Sequence, residues 1–291
     1  MSASGYTVEA ALAKRDPEVI QSLMPKWEWF YDHYFRVRTS GWHHARHQAL
    51  FVGSHNGGLA APDMVMLMVD WFRRFGYQRS IYGLMHHKVW QVNPFLGDLG
   101  AQCGAVPARP KFAIAALQRG ASVLVFPGGA QDVFRPHSQR ARIHLAGRTG
   151  FIKLALREQV PIVPVVSWGA HDTFIVLGDC YKQAQWLNQK GLLPWVMDID
   201  PEVFPVFLGL PWGIGLGPLP HWPWPTQIHT RVGEPIEFER TGRSAARDLD
   251  YVQACYRRVE QRMQTELDKL IAASGSANIP MPHRRPSDKS F

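Results

Sequence analysis

The chain has 291 residues, with 32 Lys and Arg against 24 Asp and Glu, a formal net charge of +8 with histidine neutral. Its 46% hydrophobic and 19% charged content excludes a disordered or fibrous chain, and its length suits one large domain or two small ones with a core that needs no staples. Cys103, Cys180 and Cys255 lie far apart with no Cys-x-x-Cys spacing, which argues against a disulfide framework or zinc knuckle and fits a reducing compartment.

No repeat of solenoid length, no apolar h-region near the start and no run long enough to span a bilayer is visible. Yet the chain carries 11 Trp, 15 Phe and 22 Pro beside its basic balance. That composition suits a peripheral membrane protein, and it equally suits a Trp-rich cytosolic enzyme.

Residues 17 to 35 are apolar and aromatic, and Pro25 predicts a division into two short helices. Trp27, Phe30, Tyr31, Tyr34 and Phe35 then follow helical spacing, for the core or for an interface. Residues 35–39 alternate as a strand, and 49–53 form a short buried strand. After the loop from Ser54 to Ala61, Pro62 opens a strong helix with Asp63 in its first turn. A helical stretch is expected from His86 to Leu99, a short strand at Ala105 and Val106, and a helix from Pro110 to Arg119. Buried strands are expected at 121–126 and 161–167 with a helix over 147–158 between them. Residues 192–226 are rich in Pro and Trp and read as an apolar loop or cover. A strand over 230–238, an amphipathic helix over 243–273 and a disordered basic tail over 274–291 complete the chain. Alternating strands and helices predict an α/β fold, a single mostly parallel sheet flanked by helices, with ligands beyond the carboxyl ends of the strands.

Two strand-end loops hold the candidate chemistry. In the first, His55 leaves a buried strand, Gly57 and Gly58 let the chain fold back, and Asp63 stands on the next helix. This spacing lets Asp63 hold one ring nitrogen of His55 while the other faces a substrate as a base; the plainer alternative is a helix-dipole aspartate beside a loop histidine. In the second, Pro127-Gly128-Gly129-Ala130-Gln131-Asp132 follows the other buried strand. Its glycines permit close approach of backbone N–H groups to an oxyanion or phosphate, or make an ordinary turn. Arg135, Arg140, Arg142 and Arg148 follow, as an anion site or a solvated loop.

Together the two loops resemble the glycerolipid, or lysophospholipid, acyltransferase superfamily over about residues 35–240, and in particular its bacterial branch related to diacylglycerol acyltransferases. The segments FPGGAQDVFRP and GRTGFIKLALREQVPIVPVVSWGAHDT carry that likeness. The family's first motif has four residues between its histidine and aspartate; here seven separate His55 from Asp63, and Asp132 is a rival partner. The Pro-Glu-Gly-Thr-Arg motif is absent, with Gly128 and Gln131 in place of its glutamate and arginine. Residues 104–109 resemble the second motif, whose arginine, offset here by one residue to Arg109, contacts the acceptor. Residues 163–166 resemble the fourth.

The resemblance implies a glycerolipid-acyltransferase-like fold and transfer of an acyl group from a thioester to a lipid hydroxyl. His55 would be the general base and Asp63 its partner; Gly128, Gly129, Asp132, Arg109, Arg135 and Arg148 would bind substrate. No cofactor or metal is implied; acyl-CoA or an acyl carrier protein would be co-substrate. The acceptor would be a lysophospholipid, diacylglycerol or related lipid. The implied organisation is an N-terminal helical, possibly membrane-associating segment over 1–34, a catalytic domain over 35–240, the helix over 243–273 and the tail. Peripheral attachment to the cytoplasmic face of the membrane is expected. A serine hydrolase is disfavoured, because Ser54 and His55 point to opposite strand faces and no Gly-x-Ser-x-Gly elbow exists. His43, His44 and His47 lack the glutamate of a zincin. A lipid-binding or membrane-adaptor module, or a lipid esterase, is the alternative; basic residues are not grouped as a nucleic-acid site requires.

Overall fold

In this computed structural model, residues 7–195 and 200–275 are described, and they build two sheets. The chain opens with α1 (Val8–Ala13) and α2 (Pro17–Trp29), the second capped by Asp16, whose carboxylate accepts the Glu18 and Val19 N–H groups. Pro25 does not divide α2 as its sequence suggests. Gln21 and Pro25 are exposed, so the carbonyl left without a partner faces water, while buried Ile20 and Met24 hold the helix on the core. A π-helical turn, Phe30–Tyr34, follows, and Phe35 closes it by donating to the Phe30 carbonyl. For that reason β1 (Arg38–Ser40) starts later than the expected strand over 35–39.

β2 (Leu50–Gly53) leads through the His55 loop into α3 (Pro62–Phe75). β3 (Ile81–Met85) has no clear signal in the sequence, since Gly83 interrupts it and only Ile81 is fully buried. The helical stretch expected from His86 to Leu99 is two helices, α4 (Lys88–Val92) and α5 (Pro94–Gln102). Asn93 leaves helical geometry to cap the Leu96 N–H, and Pro94 opens the second helix. Then come β4 (Ala105–Pro107), α6 (Pro110–Gln118), β5 (Ser122–Val125), α7 (Gly129–Val133), α8 (Gly150–Glu158) and β6 (Ile162–Trp168).

The next segment departs most from expectation. β7 (Ile175–Asp179) and α9 (Tyr181–Gln189) precede β8 (Pro205–Gly209) and β9 (Gly213–Leu216), so the supposed apolar loop over 192–226 supplies two strands. β10 (His229–Val232) is shorter than the strand expected over 230–238, because Pro235 cannot donate; pairing resumes only where Ile236 meets Ile162. The single helix expected over 243–273 is α10 (Gly242–Arg247) and α11 (Leu249–Gly275). Asp248 turns extended between them and caps α11 through the Tyr251 N–H. The expected tail lies outside the described residues from 276 onward.

The large sheet has the order β1-β10-β6-β2-β5-β3-β4, and its central strands β6, β2, β5 and β3 run parallel. Alternation along these strands divides the core. Leu50, Val52, Val123, Ile162 and Val166 pack with α6, α8 and α11; Phe51, Leu124, Val163 and Val165 pack with α2 and α3. Both faces are covered, which is why β2 and β6 read as unbroken apolar runs. The small sheet, β7-β8-β9, is antiparallel and rests on Val133 and Phe134 through Phe174, Val176 and Phe207. It thus stands beside the carboxyl end of β5, where α7 begins.

Candidate active site at the carboxyl edge of β2 and β5

β2 ends at Gly53, and the Ser54 N–H still bonds the Val165 carbonyl of β6, so His55 leaves the sheet at a fixed height. Gly57 adopts φ +85°; a Cβ there would lie 2.6 Å from Pro62 Cδ and 2.8 Å from the Ala170 carbonyl oxygen. That close approach folds the loop back onto the start of α3. Asp63 consequently reaches the ring it follows by eight positions: Oδ2 lies 3.2 Å from His55 Nδ1 and accepts the Asn56 N–H at 2.8 Å. Bonding at Nδ1 directs the lone pair to Nε2, the geometry of a base held in one tautomer. The His55 ring stacks on Phe126 with centroids 4.5 Å apart. Burial lowers the His55 pKa, but Asp63 and Asp132 more than reverse this and leave it above the ordinary histidine value.

Asp132 takes a different place from Asp63. It is wholly buried, and its Oδ2 accepts the main-chain N–H of His55 at 2.5 Å. Its Oδ1 accepts from Arg135 Nη1 at 2.6 Å. Burial raises its pKa to about 6, against the pull of Arg135. The two carboxylates divide the histidine: Asp63 holds the ring, Asp132 the backbone.

Arg135 was expected to bind an anionic head group, and the structure corrects this. It is only 3% exposed, and its guanidinium donates inward to the His55 and Asp132 carbonyls, Asp132 Oδ1 and Asn56 Oδ1. Asp132, equally enclosed, is likewise not open to substrate. The glycines also meet a packing demand. A Cβ on Gly128 would lie 2.2 Å from the His144 carbonyl oxygen and 2.3 Å from Asp132 Cβ; one on Gly129 would lie 2.5 Å from Arg148 Nη1. They admit protein groups, and the Gly129 N–H already donates to the Phe126 carbonyl. Arg148 bridges the Pro127 carbonyl and Glu202 at the surface. Arg109 is exposed beyond β4, three strands from β2 or about 14 Å across the sheet, and is not brought to His55.

Several participants carry little signal in the sequence. Asn56 donates to Ser167 Oγ on β6 at 2.8 Å, and adjacency to His55 is its only clue. His171, from the turn after β6, bonds the Arg135 carbonyl at 2.8 Å, and burial beside Arg135 holds its pKa down to about 3. His221 bonds the Gly57 carbonyl at 3.1 Å and stacks on Phe174. Ser54 is buried, and its Oγ accepts from Asn56, away from the His55 ring. Among the described residues, no three of His, Cys, Asp and Glu gather as a metal site.

A family model, diacylglycerol acyltransferase, matches residues 27–269. The chain belongs to the diacylglycerol acyltransferase family. It is similar to an uncharacterized protein of Mycobacterium tuberculosis, 28% identical over 269 residues, covering 91% of this chain and 69% of that one. Diacylglycerol O-acyltransferase 2 of Bos taurus is 28% identical over 141 residues, 47% of this chain and 37% of its own. 2-Acylglycerol O-acyltransferase 3 of Homo sapiens is 28% identical over 149 residues, 50% of this chain and 41% of its own, so the chain spans less than half of either mammalian relative. Among solved structures, a 1-acyl-sn-glycerophosphate acyltransferase from Thermotoga maritima aligns with TM-score 0.49 and 15% identity, over 87% of this chain and 81% of that one.

Proposed function

We propose that this member of the family transfers an acyl group from a thioester to a lipid hydroxyl, with His55 as general base. The observation that carries the reading is the Nδ1–Asp63 contact at 3.2 Å on the carboxyl edge of β2. His55 Nε2 takes the proton of the acceptor hydroxyl as its oxygen attacks the thioester carbonyl carbon. Asp63 stabilises the resulting imidazolium. The tetrahedral intermediate collapses, the carbon–sulfur bond breaks, and His55 returns the proton to the departing thiolate. The Gly128 N–H, which makes no hydrogen bond among the described residues, is the oxyanion donor in this scheme. The donor is acyl-CoA or acyl carrier protein; the acceptor is diacylglycerol, a lysophospholipid or a related lipid. Arg148, exposed beside Pro127, is the cation nearest the glycine loop for such substrates. Purified protein given labelled acyl-CoA or acyl carrier protein with each acceptor in turn tests this. Ester product that disappears in His55→Ala supports it; a folded His55→Ala protein with full turnover rejects it.

The same reading places the enzyme on the cytoplasmic face of a membrane as a peripheral protein. The outer face of the small sheet is hydrocarbon on every strand: Ile175 pairs with Leu208 and Leu208 with Ile214, and Val206 with Leu216. Ile214 is 73% and Leu216 57% exposed, where a solvent-facing sheet is ordinarily polar. The two aromatic stretches meet beside it, Trp222 Nε1 donating to Tyr34 Oη at 2.9 Å. Half-exposed Trp29, Trp212 and Trp222 form a margin of the kind that sits at lipid head groups. No helix of the described residues is long and apolar enough to cross a membrane.

A further inference from the structure

We propose that the buried Asp132–Arg135 pair is a positioning device that holds the His55 backbone and sets the proton affinity of its ring. The inference rests on His55 being the base. Both main-chain groups of His55 end on this one ion pair. The N–H donates to Asp132 Oδ2 at 2.5 Å, and the carbonyl accepts from Arg135 Nη1 at 3.0 Å. The pair is closed upon itself at 2.6 Å, and Arg135 Nη2 reaches Asn56 Oδ1 at 2.5 Å. Asn56 in turn donates its N–H to the same Asp63 oxygen that faces the ring. The circuit therefore runs from the histidine's backbone through the pair and Asn56 to the histidine's ring.

A buried ion pair is a poor way to gain stability alone, since desolvation cancels much of its attraction. Here its geometry has a second use. The guanidinium fork serves the His55 carbonyl and the Asn56 amide from one rigid plane, which an ammonium cannot do. His171 holds the Arg135 main chain by bonding its carbonyl at 2.8 Å. Neither Asp132 nor Arg135 is open to substrate, so both act through His55.

The charges facing His55 are Asp63 from α3, Asp132 from α7 and Arg135 just after it; Ser167 on β6 and the Phe126 ring are neutral, as is His171 behind Arg135. Removing the Asp132 charge leaves Arg135 unopposed, and both changes disfavour the imidazolium.

The test is a ¹⁵N-histidine NMR titration with parallel pH–rate profiles on the full chain. In Asp132→Asn the His55 pKa falls by at least about one unit, and the acid limb of turnover moves with it. Arg135→Lys keeps both charges and loses the fork: the His55 pKa stays within about half a unit, while kcat falls about tenfold or more with KM retained. A folded Asp132→Asn with the parental His55 pKa overturns the tuning role. A folded Arg135→Lys with the parental kcat overturns the positioning role, and it decides that point even where Asp132→Asn fails to fold. Should the parent show no acyl transfer, the base reading fails, and the NMR titration still judges the tuning.

Discussion

Around His55 the chain buries charge, and on the β7-β8-β9 sheet it exposes hydrocarbon. Asp63, Asp132 and Arg135 lie in the interior, each engaged with the His55 loop. Ile214 and Leu216 lie largely exposed. Both arrangements reverse what a stability argument favours, because buried charge is costly and exposed apolar surface is wasted. They adjoin, since Phe174 and His221 link the small sheet to the Gly57–Gly58 turn. On the proposed reading, a polar site with fixed geometry next to an exposed apolar face suits a reaction between a thioester and a membrane lipid.

The sharpest way to break this contrast is at the polar end. His55→Ala is expected to lose at least about two orders of magnitude in turnover, the scale for a removed base, in a protein that still unfolds cooperatively. Asp63→Asn is expected to cost about ten- to a hundredfold in kcat and to lower the His55 pKa, read by NMR. The pH profile supplies a smaller but independent measure. His55 must be neutral to accept a proton and its pKa is raised, so activity is expected to climb with pH through a value above about 6.5. The stability contribution has the same origin and opposite sense. It is fully present below the unfolded-state value and is lost as pH rises through the folded one. His55→Gln is expected to flatten that part of the stability curve, measured by urea denaturation.

The apolar end is expected to respond in binding alone. Ile214→Ser with Leu216→Ser is expected to weaken flotation with anionic vesicles roughly tenfold and to leave unfolding within about 0.5 kcal/mol. Activity on a detergent-dispersed acceptor is expected to survive. Loss of that activity would instead assign the sheet to the chemistry, and parental flotation would remove it from the membrane.

The parts of the fold that announce themselves in sequence are those buried on both sides. β2, β5 and β6 are continuous apolar runs, and α3 and α11 carry helical periodicity. The small sheet is less legible because its outer face is apolar too, so β8 and β9 lack the alternation of an ordinary antiparallel strand. The His55–Asp63 pairing is readable because it is local, a loop eight positions long. Arg135 is not, since an arginine beside other arginines suggests solvent. Its enclosure depends on His55 and Asn56, 80 and 79 positions away, which only the register of β2 against β5 brings near.

The hydrogen bond between Trp222 and Tyr34 joins residues 188 positions apart. At ordinary translation rates the ribosome needs roughly 10–40 s to supply the second after the first. The aromatic margin is therefore absent from a growing chain through most of its synthesis. A nascent polypeptide presents Trp29 without Trp222, and the margin is assembled only after residues 50–168 have supplied the central strands. The order of synthesis thus completes this margin only after the central sheet.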